Sequence, residues 1–84
     1  MTWLEPSMGL HEGMVLSGMT YGELWLRQVA VGGTAAELEV EAYVLGLLSA
    51  DSYQHNLIAQ ALNEHFIELG KNHPVGYREV ATTE

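Results

Sequence analysis

The sequence predicts an all-α protein, a small bundle of three main helices with an apolar N-terminal arm or a short extra helix. Three helix-start signals, each followed by a stop, are spread between residues 20 and 70. Between them, apolar side chains recur at helical spacing. The 84 residues include 2 Pro and 0 Cys, so neither proline-rich extension nor a disulfide framework competes with helix packing.

Residues 1–19 form the apolar arm, with Trp3, Leu4, Met8, Leu10, Met14, Val15, Leu16 and Met19. Gly9, Gly13 and Gly18 break any long helix there, leaving a short helix from Met8 to about Leu16 or a strand at Met14–Leu16. The main domain spans residues 20–71. Its first helix, 21–31, opens on a capping box, in which the Thr20 hydroxyl takes the amide of Glu23 and the Glu23 carboxylate reaches back. Gly32-Gly33 stops it, and Glu23 stands four residues before Arg27, the order that favours a surface ion pair. A second box, Thr34 with Glu37, opens a helix over 35–48. Asp51 with Gln54 opens the third, 52–69, which ends at Gly70, with Lys71 suited to the negative end of the helix and Pro74 barring continuation. Residues 72–84 read as a polar C-terminal tail, mobile or ordered by a partner.

The helix faces bear on function. The first is apolar on Tyr21, Leu24, Trp25 and Val29, widened by Leu26 and Ala30. The third carries His55, Ile58, Leu62, Phe66 and Leu69 on one stripe. The middle helix has two stripes, Leu38, Ala42 and Leu45 on one side, and Val40, Tyr43, Val44 and Leu47 on the other. A helix apolar on two sides needs two neighbours. It either lies in the centre of the bundle or packs one side on the core and the other on a partner; in the second case Leu38, Ala42 and Leu45 are expected to face the core. Val40, Tyr43, Val44 and Leu47, joined by Trp3 from the arm, are then expected to meet a partner or a second copy, because an aromatic among aliphatic side chains is the make-up of an interface centre.

Composition narrows the alternatives. With 3 Lys+Arg against 11 Asp+Glu the net charge is −8, too few cations to neutralise a row of phosphates, so no direct nucleic-acid binding is expected. Residues 52–69 contain no Lys or Arg, which argues against a DNA-recognition helix. No apolar run is long enough for a membrane span, no Lys or Arg precedes Arg27, and a cytoplasmic protein with no membrane partner is expected. Charged residues make up 17%, below the usual ~25%, so apolar surface should be left over after the chain folds.

The candidates for chemistry are thin. Glu64, His65 and Glu68 have metal-ligand types at helical spacing, and His11, Glu12 or His73 would have to complete a site. Asp51, Ser52 and His55 have the types of a hydrolytic triad, but the first two sit at capping positions. Gly32-Gly33-Thr34 before a helix lacks the lysine of a phosphate loop. No catalytic, cofactor or metal residues are therefore assigned and no cofactor is expected. The sequence reading is a small acidic non-enzymatic interaction module, a regulator that binds a protein partner or forms a homodimer through apolar helix faces. The alternatives are an acidic inhibitor imitating nucleic acid and a small metal-binding or enzymatic protein.

Overall fold

A computed structural model describes residues 8–72 and 74–78. Among them the fold is all-α, with four helices, α1 (Leu10–Ser17), α2 (Tyr21–Ala30), α3 (Glu37–Leu45) and α4 (Ser52–Glu68). Of the two forms expected for the arm, residues 10–17 take the short helix, with Gly13 inside it and Gly18 at its C-cap.

The helix ends show why the boundaries fall where they do. At α2 the Thr20 hydroxyl accepts from Glu23 N at 3.1 Å, and Glu23 Oε1 accepts from Thr20 N at 2.8 Å, the complete box expected. At α4 the Asp51 carboxylate accepts from Gln54 N at 2.8 Å. The α3 start departs from expectation: Thr34 does not cap it. Ala36 is the N-cap and Glu39 Oε1 accepts its amide at 2.9 Å, half of a capping box. The cause lies at Ala35, whose carbonyl accepts Trp25 Nε1 and Gln28 Nε2 from α2, both at 3.0 Å. A carbonyl held that way does not join the α3 ladder, so the helix starts later. It also stops earlier, at Leu45, because Gly46 takes a left-handed conformation at φ 79° and closes the end with Gly46 N to Tyr43 O and Leu47 N to Ala42 O.

The longest helix, α4, lies against α1 and α2, and α3 packs on those same two helices. Its buried residues run well beyond one stripe, with Leu57 and Ala61 added to His55, Ile58, Ala59, Leu62, Asn63 and Phe66, whereas Leu69 is exposed. Part of that burial comes from the C-terminal segment, whose polar composition predicts a tail that is mobile or ordered by a partner. Residues 74–78 lie along α4 and Val75 is buried. Asn63 acts toward Val75 as a second peptide group, donating from Nδ2 to its carbonyl at 2.9 Å and accepting its amide on Oδ1 at 2.8 Å. Asn56, seven residues earlier, does the same to Arg78 at 2.8 and 2.7 Å. On the opposite edge Met8 N donates to Pro74 O and Gly76 N to Met8 O, at 3.2 and 3.0 Å. Buried backbone groups outside a helix or sheet need such partners.

Candidate interaction surface

The stripes of α3 are inverted relative to expectation. Val40 and Val44 are 0% and 4% exposed and belong to the core cluster, and Tyr43 is half-buried against it. These three were assigned to a partner, and the correction follows from the neighbours: the helix turns them onto α1 and α2, which close the monomer core. Leu38 and Leu45, expected inside, are 76% and 44% exposed. Leu47 is 75% exposed and stands past the helix end, in the turn with Leu48. Trp3 lies outside the described residues.

The outer face of α3 is thus Leu38, half-buried Ala42 and Leu45, and the turn after Gly46 exposes Leu47 and Leu48 as well. Residues four and three apart fall on one helix face, so the first three form a continuous stripe. Carboxylates border it: Glu37 and Glu41 along one edge and Glu39 on the other, with no Lys or Arg on the helix. Glu37 leans over the first turn of α2, where its Oε2 would be 3.4 Å from a Cβ on Gly22.

Most of the histidines and carboxylates considered for chemistry are engaged elsewhere; His11 and Glu12 are exposed on α1, and His73 lies outside the described residues. His55 is buried, with Nε2 2.9 Å from Gly76 O, and Asp51 caps α4, so no triad assembles. His65 is half-buried rather than on a solvated face, with Nε2 3.0 Å from Ser17 O. Glu68 binds Arg27 with two bonds, at 2.8 and 3.2 Å, replacing the expected Glu23–Arg27 pair. That hydrogen bond, aided by the guanidinium charge, holds the Glu68 carboxyl below the usual carboxylate range, and the same bond raises Arg27. Among the described residues no group of three or more His, Cys, Asp or Glu is placed to hold a metal ion. No described helix is long and apolar enough to cross a membrane.

Two open cavities lie away from α3. One, of about 510 Å³, lies among Met19, Leu26, Ala30, Glu23, Arg27 and His65. Glu23, Arg27 and His65 Nε2 bond to Thr20 N, Glu68 and Ser17 O, while His65 Nδ1 is buried without a hydrogen-bond partner. The other, of about 310 Å³, lies over Phe66 between Met8, Leu16 and Pro74. No protein-family model matches the chain, and no curated protein or solved structure matches it.

Three buried polar residues, Ser17, Gln28 and Asn63, are not among those expected from the sequence. Gln28 is fully buried on α2, with Nε2 on Ala35 O, and Asn63 on α4 pairs with Val75.

Proposed function

We propose that the protein is a small acidic, non-enzymatic interaction module that engages a protein partner through the outer face of α3. The observation that carries this reading is the exposure of Leu38 and Leu45 on one face, with Leu47 and Leu48 exposed in the turn that follows. An apolar stripe rimmed by charge on a small chain is the usual form of a helix-in-groove contact. The low share of charged residues, 17%, agrees with surface reserved for contact rather than solvation. A regulatory role fits such a module.

The reading is tested by comparing the intact protein with its Leu38→Ser/Leu45→Ser variant in affinity capture and cross-linking, after circular dichroism has shown equal helix content. The partner should be retained by the wild type, lost by the variant, and only moderately weakened by salt, because an apolar contact is not screened. A partner held equally by both proteins contradicts the reading. If binding instead vanishes with salt and ignores the leucines, the acidic imitation of nucleic acid is the better account.

A further inference from the structure

We infer that the occupant of the α3 face is a basic amphipathic helix of another protein rather than a second copy of this chain; the inference rests on the interaction reading above and names the partner's chemistry.

A symmetric dimer would place the α3 face against itself. Glu37, Glu39 and Glu41 would then meet their own kind across a largely desolvated contact, where like charges oppose association. No cation lies on α3 to offset them. The chain has 3 Lys+Arg in all; Arg27 is paired with Glu68, Arg78 is anchored on Ala50 O past the C-terminal end of α3, and Lys71 lies beyond the end of α4. A partner helix with Leu-like side chains on one face and Lys or Arg on its flanks satisfies both features at once. Its apolar face covers Leu38, Ala42 and Leu45, and its cations meet the glutamates. The stripe itself spans 8 residues, Leu38 to Leu45, so a matching segment needs only two to three helical turns.

The test uses the full chain and three synthetic 14-residue probes: an amphipathic Leu/Lys helix, a Leu/Glu peptide with the same apolar pattern, and a Leu/Lys peptide of scrambled order. Titration calorimetry should show the amphipathic Leu/Lys probe binding at least tenfold more tightly than either control. Leu38→Ser/Leu45→Ser should weaken it about tenfold, and Glu37→Gln/Glu41→Gln should weaken it severalfold and flatten its salt dependence. Equal binding of the ordered and scrambled Leu/Lys peptides, or indifference to both pairs of substitutions, overturns the inference. Sedimentation separates the two failures. A dimer that Leu38→Ser/Leu45→Ser dissolves, with no peptide bound, makes the occupant a second copy and keeps the α3 face as an interface. No change in peptide binding or in mass with that variant removes the interface as well.

Discussion

At the scale of single residues, Asn63 and Gly13 hold the C-terminal segment in place. Asn63→Ala strands the amide and carbonyl of buried Val75 at once. It should cost about 2–3 kcal/mol, because each unpaired buried group loses its full hydration. Asn56→Ala removes the same pair of bonds from exposed Arg78, where water replaces them, and should cost under about 1 kcal/mol. Denaturant melts of the two variants compare them directly. Gly13 makes the opposite point to its helix propensity. Ala normally improves a helix interior by about 0.5–1 kcal/mol, but a Cβ here would stand 2.6 Å from Val75 Cγ2 and 3.5 Å from Leu62 Cδ1. Gly13→Ala should therefore destabilise, by about 1–3 kcal/mol; a stabilised variant in thermal melts would show that Val75 is not seated against α1. Neither role was legible in the sequence. Whether a polar residue such as Asn63 or Gln28 is buried depends on a backbone group 12 or 7 residues away, and local periodicity carries no trace of it.

At the scale of elements, starts were legible where a side-chain cap competes with nothing else. Thr20 and Asp51 are such caps, and Thr20→Ala and Asp51→Ala should each cost about 1 kcal/mol. Thr34→Ala should be nearly neutral, since Thr34 is exposed and precedes the true N-cap, Ala36. Chemical denaturation of the three variants tests this ordering, and a Thr34 cost matching that of Thr20 would move the α3 start back. The α3 start was misread because residues 34–39 hold two overlapping patterns, Thr34 with Glu37 and Ala36 with Glu39. The tie is broken by Ala35 O bonding back to α2, a tertiary fact. The Gly32-Gly33 stop was legible, but the constraints divide between the pair. Gly32 has the positive φ, 98°, while a Cβ on Gly33 would come within 2.7 Å of Gln28 O. Gly33→Val should thus fail through collision rather than through its dihedral angle.

At the scale of the whole molecule, Arg27 and Glu68 tie α2 to the end of α4. The Glu68 carboxyl titrates lower in the folded state than in the unfolded chain. Its contribution is therefore present above the ordinary carboxylate pKa of about 4.3 and is lost as pH falls through the lower folded value. The exposed pair should contribute little. Glu68→Gln should melt slightly below wild type at pH 7, and the two curves should converge in the acid range; a gap that persists at pH 2 would assign the effect to packing instead. The all-α class was legible because start signals and periodicity agree over most of the chain. The orientation of α3 was not, because its two apolar stripes are nearly equivalent and only the positions of α1 and α2 decide between them.

That orientation is the foundation of the functional account, and adjacent residues test it. Val44 is 4% exposed and Leu45 44%. Val44→Asp buries an unpaired charge in the core, whereas Leu45→Asp places one in water. Circular dichroism melts of the two variants are the most direct measurement. The structure predicts that Leu45→Asp keeps its helix content and a cooperative transition near that of wild type, while Val44→Asp loses both. A folded Val44→Asp beside an unfolded Leu45→Asp would turn α3 over and take the proposed interface with it.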